Sequence, residues 1–271
     1  MDSKRILYVS QEIHPYLPEN EISKPSLELP RKMNEKGHQV RVFMPRYGLI
    51  NERRHQLHEV IRLSGINIIV NDMDQPLIIK VASVPQSRMQ VYFIDNEEYF
   101  KRKATFYNEK GEFFNDNDQR AIFFCRGVIE TVKKLGWSPD IIHCHGWMAS
   151  FLPLYLKKFH YDDPLFAATK LVLSVYYSKD VKMPSTLTDT LKFDGINGLD
   201  IVKYEDADLR SIYEASASYC DGVVIGSEEV ETRVKENLKN SVENYLDFKG
   251  DEYVDAVHSL YETICVEESV A

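Results

Sequence analysis

Apolar positions along the chain alternate between two kinds of run. Arg5-Ile-Leu-Tyr-Val-Ser10 and Gln39-Val-Arg-Val-Phe-Met44 are short and apolar, as expected for buried strands. Between them a proline-containing loop, His14 to Asn20, leads into a predicted helix through Met33, Asn34 and Lys36 that Gly37 ends. Strand, helix, strand in so short a stretch is a βαβ unit, which makes the two strands parallel. Residues 56–94 change character. Val60 to Leu63, Ile66 to Val70, Leu77 to Val81 and Gln90 to Ile94 predict antiparallel strands added to the parallel core, with a turn within Asn71 to Pro76.

From Asp118 the period lengthens. Ile122, Cys125, Val128, Ile129, Val132 and Leu135 predict an amphipathic helix ended by Gly136. Asp140-Ile-Ile-His143 predicts a strand, Trp147 to Lys158 a helix, and Lys170-Leu-Val-Leu-Ser-Val175 another strand. Residues 178–204 show little periodicity and read as a surface excursion. Leu209, Ile212, Tyr213, Ser216 and Tyr219 mark a helix, Gly222 to Ile225 a strand, and Ser227-Glu-Glu a capped helix start. A tail from Asp251 repeats Tyr253, Val254, Val257, Leu260, Tyr261 and Ile264 at helical spacing. The expectation is an α/β fold, a doubly wound parallel Rossmann-like sheet with an antiparallel strand addition. Residues 1–250 would form the domain and residues 251–271 a helical tail.

Composition narrows the partners. A net charge of −9 argues against nucleic acid and against an anionic membrane surface, and is indifferent to a neutral carbohydrate. The opening Met1-Asp2-Ser3-Lys4-Arg5 runs into a first strand and not a signal peptide, and no apolar stretch is long enough to span a bilayer. Cys125, Cys144, Cys220 and Cys265 lie far apart, without a Cys-x-x-Cys pair, which fits reduced thiols and a cytoplasmic chain. The loops after the predicted strands carry neither G-x-G-x-x-G nor G-x-x-x-x-G-K-[ST], so no dinucleotide cofactor or P-loop nucleotide is expected.

Six segments, in order, resemble the glycogen/starch synthase family. They are Ile6-Leu-Tyr-Val-Ser-Gln-Glu-Ile-His-Pro15, Gly37-His-Gln-Val-Arg-Val-Phe-Met-Pro-Arg-Tyr-Gly48 and Tyr92-Phe-Ile-Asp-Asn-Glu-Glu-Tyr-Phe100. Asp116-Asn117 with Arg120 and Phe124, Asp140-Ile-Ile-His-Cys-His-Gly-Trp147 and Asp221-Gly-Val-Val-Ile-Gly-Ser227 complete the set. The resemblance implies the amino-terminal domain of a GT-B glycosyltransferase. In that family a second domain binds ADP- or UDP-glucose, and glucose passes with retention to the 4-hydroxyl at the end of an α-1,4-glucan. The second domain would begin where this sequence stops.

Three departures stand inside the resemblance. The family's first loop carries Lys-x-Gly-Gly, where this chain has Pro18, Glu19, Asn20 and Glu21. A cation is replaced, two glycines gain side chains, and two carboxylates enter where a diphosphate would sit. The family's His-x-His-Asp-Trp-His becomes His143-Cys-His145-Gly146-Trp147-Met148, losing an imidazole beside the transferred sugar. Its Thr-Ile-His-Asn becomes Ser174-Val-Tyr176-Tyr177. The expectation is a domain that is catalytically degenerate alone and binds glucan or a partner. The alternative is a working half that needs a separate donor-binding domain.

Candidate glucan-binding residues are Glu12, Arg46, Tyr47, Asp116, His143, His145, Trp147, Tyr176 and Tyr177. His143 and His145 share one strand face, with Cys144 on the other. No third ligand is evident beside them, so polar residues satisfied at a strand end are expected and no metal. Asp116 either holds an acceptor hydroxyl, as the resemblance implies, or caps a helix. Trp147 either stacks on a sugar or seats its helix. Tyr176 and Tyr177, with Tyr16 and Tyr47, would form an aromatic platform, and Glu12 and Arg46 either contact ligand or, as expected, pair with each other. Without a second domain, Trp147, Met148, Tyr176 and Tyr177 would face solvent and invite a homodimer or a separate protein partner, while the tail packs on the sheet's flank.

Overall fold

A computed structural model describes residues 3–85, 87 and 89–266, without the side chain of residue 266. The expected tail therefore extends beyond the described residues at 267–271, and the first two residues also lie outside them. The strands are β1 (Arg5–Ser10), β2 (Gln39–Pro45), β3 (His58–Glu59), β4 (Ile66–Val70), β5 (Met73–Ser83), β6 (Gln90–Asp95), β7 (Ile141–His145), β8 (Lys170–Val175), β9 (Gly222–Ile225) and β10 (Asn244–Leu246). The helices are α1 (Pro25–Glu35), α2 (Glu52–His55), α3 (Glu97–Phe100), α4 (Asn117–Leu135), α5 (Leu152–Phe159), α6 (Leu187–Phe193), α7 (Leu199–Val202), α8 (Leu209–Ala217), α9 (Thr232–Ser241) and α10 (Tyr253–Val266).

The sheet runs β10-β9-β8-β7-β1-β2-β6-β5-β3, with β4 paired to β5. From β10 to β6 every pairing is parallel, and β5 joins β6, β4 and β3 antiparallel. The fold is thus the expected α/β class. Helices cover the central strands on both faces, which is why β7 is apolar or hydrogen-bonded at every position and wholly buried.

Local chemistry sets the boundaries. Gly37 (φ 94°) and Gly136 (φ 58°) end α1 and α4 in the left-handed region, where a Cβ would be strained. Asn96 caps α3 and Asp208 caps α8, accepting from Tyr99 N at 3.0 Å and Ser211 N at 2.8 Å. Asn71 and Asp72 both have positive φ (49° and 63°) and close the β4–β5 hairpin as a two-residue turn.

Four expectations need correction. Gln90 to Ile94 belongs to the parallel core, because β6 pairs with β2 in parallel and meets β5 only on its other edge. Val60 to Leu63 is a turn after the two-residue β3, closed by Leu63 N donating to Val60 O. Residues 178–204 hold α6 and α7, whose Leu187, Leu191 and Ile201 are buried with Ile196 and Tyr204. Those contacts lie in helices too short for a period to show. Ser227 makes a turn, its Oγ accepting from Glu229 N at 3.3 Å, and α9 starts later at Thr232.

The tail packs as part of the same core. α10 lies against α1, β9 and β10 and buries Tyr253, Val257, Leu260, Tyr261 and Ile264. Burying each such side chain stabilises by about 1.5–3 kcal/mol.

Candidate functional site

The carboxyl ends of β1, β2, β7 and β8 bring the sequence-derived candidates together, as an open parallel sheet should. Their side chains are mostly consumed by the protein itself. His143 and His145, both fully buried, lie with ring centroids 4.2 Å apart. Tyr261 of α10 donates to Tyr8 at 3.2 Å, so the contact of His143 Nδ1 with the Tyr261 hydroxyl (2.6 Å) makes Nδ1 the donor. His143 Nε2 then accepts from Ser174 Oγ at 2.8 Å, and Ser174 meets Tyr253 Oη at 3.0 Å. His145 Nδ1 meets the Tyr176 hydroxyl at 2.7 Å, while its Nε2 has no partner among the described residues. Burial holds both imidazoles neutral, pushing His143 well down, helped by the neighbouring His145, and His145 down to about 3. Among the described residues no group of three or more His, Cys, Asp or Glu could hold a metal ion.

The aromatic side chains are buried as well. Trp147 (3% exposed) sits under Phe106 and Phe113, with ring centroids 5.2 and 5.5 Å away. It seats the 3-10 turn Trp147–Phe151 that opens α5. Tyr47 stands edge-on to Phe106 and Phe100. Tyr176 lies flat against Gly226, where a Cβ would come within 2.4 Å of the ring, so Gly226 is the space the tyrosine fills. The expected platform of Tyr16, Tyr47, Tyr176 and Tyr177 is therefore not displayed, since only Tyr177 (43% exposed) reaches solvent. The apolar strand-end face is likewise closed, because Met148 is also buried, against the Tyr47 hydroxyl.

The charged candidates found other partners than those expected. Arg46 pairs with Asp95 (3.0 Å) and Glu52 (3.2 Å), and not with Glu12. Lys80 joins the same two carboxylates. Asp116 stands at the N-cap of α4 but makes no capping bond, because Arg102 grips both its oxygens. Arg102 itself lies over the Phe114 ring. Glu12 is bonded by Asn20 Nδ2, and burial raises its carboxyl above the usual range against that bond.

The first loop is the part with most chemical consequence. Asn20 Oδ1 accepts from Ile22 N (2.9 Å) and Ser23 N (2.7 Å), and Ser23 Oγ accepts from Asn20 N (2.9 Å). This reciprocal pair closes the turn of residues 20–24 that leads into α1, with Lys24 N donating to Asn20 O at 3.2 Å. The N–H groups of Ile22 and Ser23, which this loop could otherwise offer to an anion, are thus already bound within the chain. Asn20 was not among the candidate residues, although its type and its place before a helix are a capping signal. On the far side of the loop, Gly146 (φ 86°) lets Gln11 lie where a Cβ would be, 2.3 Å from Gln11 Oε1. Gln11 also accepts from Met148 N at 3.3 Å. Gln11, Tyr253 and Tyr261 could not be singled out from the sequence, because their partners lie far along the chain.

A family model described as the starch synthase catalytic domain matches residues 5–247. The chain belongs to this family. It is 41% identical over 173 residues to a glycogen synthase from Chlorobium limicola, covering 64% of this chain and 35% of that protein. A glycogen synthase from Chlorobaculum parvum is 35% identical over 199 residues, 72% of this chain and 41% of its own length. The chain thus spans well under half the length of these relatives. The catalytic domain of starch synthase IV from Arabidopsis thaliana, bound to ADP and acarbose, superposes with a TM-score of 0.71. That match covers 91% of this chain and 51% of that one at 17% identity, a likeness of fold. The sheet is that of a GT-B starch synthase.

Proposed function

We propose that this glycogen/starch synthase-family chain binds α-glucan and does not by itself transfer glucose from a sugar nucleotide. The observation that carries this reading is the first loop. Asn20 takes the N–H groups of Ile22 and Ser23 in the turn before α1, and the loop sets three carboxylates, Glu12, Glu19 and Glu21, against one cation, Lys24, which Glu19 already pairs at 3.3 Å. Like charges near a protein surface repel by about 4 kcal/mol at about 4 Å, and a diphosphate carries more than one. A neutral glucan meets no such penalty. The missing imidazole at Met148 and the Tyr176 ring over Gly226 point the same way.

Purified chain incubated with glycogen and radiolabelled ADP-glucose or UDP-glucose tests this directly. No incorporation is expected, together with retardation in a glycogen-containing native gel. Label appearing in glycogen would overturn the reading. A second reading is a transferase half that works with a separately supplied donor domain. It is favoured by the fold that 91% of this chain shares with the solved starch synthase. Label incorporated only after a donor-binding domain is added would establish it.

A further inference from the structure

A small pocket lies away from the strand ends, between α4, α5 and the end of α6. Its volume is about 170 Å³. That is below the roughly 300–1,000 Å³ of pockets for drug-sized ligands, so it has room for one ring with the remainder of a chain outside. None of the strand-end candidates lines it.

The wall and floor differ in chemistry. Phe159, 42% exposed, stands on the wall, its ring centroid 5.7 Å from that of Tyr155. Gly195 beside it carries no side chain, and even an added Cβ would stand 3.9 Å from the Phe159 ring, in ordinary contact. At the floor Arg126 donates to Asp194 Oδ1 (2.8 Å) and to Ile69 O (2.6 Å), and the Tyr155 hydroxyl donates to the other Asp194 oxygen. These three side chains fix one another. They leave Nε and Nη2 of Arg126 without a protein acceptor among the bonds to described residues. Glu130 and His160 complete the rim.

The charges lining the pocket are paired: Arg126 faces Asp194 and Glu130 lies 3.6 Å from Lys133, while His160, lowered by burial, stands 3.8 Å from Asp163 as a neutral imidazole at neutral pH. An anion would meet Asp194 and Glu130, and a cation would meet Arg126 and Lys133. The fitting ligand is uncharged, has one apolar face for the Phe159 ring, and carries hydroxyls around its edge for guanidinium, carboxylate and imidazole. A pyranose ring has that form. We infer that this pocket is a saccharide subsite, taking one neutral hexose unit of a glucan at a distance from the strand-end face. Tyr161 (68% exposed) and Phe193 (49% exposed) flank it in sequence, next to His160 and Asp194, and give further rings for neighbouring sugars.

The inference rests on the glucan-binding reading and is tested apart from it. Maltoheptaose is titrated by calorimetry into wild-type chain, Phe159→Ala, Glu130→Gln and Tyr177→Ala, with the Ile129 methyl followed by NMR. The subsite predicts at least tenfold weaker binding for Phe159→Ala, several-fold for Glu130→Gln, and a shifted Ile129 methyl in the wild type. Wild-type binding that Phe159→Ala leaves unchanged overturns the subsite while leaving glucan binding intact. No wild-type binding overturns both. Thermal melts verify that the variants are folded, and Glu130→Gln, a near-isosteric change on a half-exposed side chain, decides the matter if Phe159→Ala is not. Glucose 1-phosphate displacing maltoheptaose from the pocket more strongly than glucose does would overturn the assignment to neutral sugars.

Discussion

Two regions at the carboxyl ends of the sheet bury polar side chains in opposite ways. Under α10 the His143 network contains no ion. Two imidazoles, four tyrosine hydroxyls and a serine hydroxyl meet at zero or near-zero exposure. At the ends of β2, β5 and β6, Arg46, Lys80, Glu52 and Asp95 form a four-charge cluster whose members, Asp95 apart, keep some contact with water. Full burial of charge costs more than its pairing returns, so complete desolvation is compatible with the neutral network and partial desolvation with the ionic one. Neutrality is therefore the condition on which α10 can sit over the sheet.

The comparison can be broken from the ionic side first. Asp95→Ala leaves Arg46 and Lys80 with Glu52 alone, and a loss of about 3–5 kcal/mol is expected in urea unfolding. Asp95→Asn should lose less, since an amide still accepts from both cations. Equal losses in the two variants would show that charge is not what holds the cluster.

On the neutral side pH is the lever. His143 and His145 have folded pKa values below the unfolded value of about 6.5, so the native state binds fewer protons than the unfolded chain below that pH. Their contribution is present above pH 6.5 and is lost as pH falls, at about 1.4 kcal/mol per pH unit for each imidazole. Together they should remove about 2–3 kcal/mol by pH 5.5. Glu12, Asp118 and Asp194 have raised values and act in the opposite sense, in the carboxylate range. His38, His55 and His160 are lowered by burial and add to the imidazole slope. His143→Gln isolates one imidazole. Its stability should depend less steeply on pH between 6.5 and 5.5, and an unchanged slope would contradict the assignment.

Tyr261→Phe removes the hydroxyl shared by His143 and Tyr8, and about 1–2 kcal/mol should be lost. The smallest effect is expected at Tyr177, exposed and outside both regions. Tyr177→Ala should alter stability by less than about 0.5 kcal/mol, and a larger change in chemical denaturation would mean the strand-end face is less closed than described.

Sequence pattern revealed those parts of the molecule that repeat locally. β7 and β9 are unbroken buried runs, β1 and β8 are buried after their first residue and β2 over its last four, and α4 carries its period over 19 residues before Gly136 ends it. Edges and order escaped. β6 has the same apolar run whether its neighbour is parallel or antiparallel, and α6 and α7 are too short to show a period. The candidate residues lie together at the carboxyl ends of the strands, yet their exposure was not legible. Burial of Tyr47, Trp147 and Tyr176 depends on Phe106, Phe113 and Gly226, which arrive from other segments. Arg46 could be recognised as a charge needing a partner, but Asp95 and Lys80 lie on strands whose pairing the sequence left open.

Tyr8 and Tyr261 share a hydrogen bond across 253 positions of chain. On a ribosome adding roughly 5–20 residues per second, the first tyrosine waits on the order of 10–50 s before the second is made. During that interval the most buried polar groups of the sheet have no lid. The nascent chain can build its strands from β1 onward, but the hydroxyl–imidazole relay closes only as α10 emerges. Translation pauses between β7 and α10 would lengthen the life of an open sheet face, and they should be felt more strongly in the yield of folded protein than pauses placed before β7.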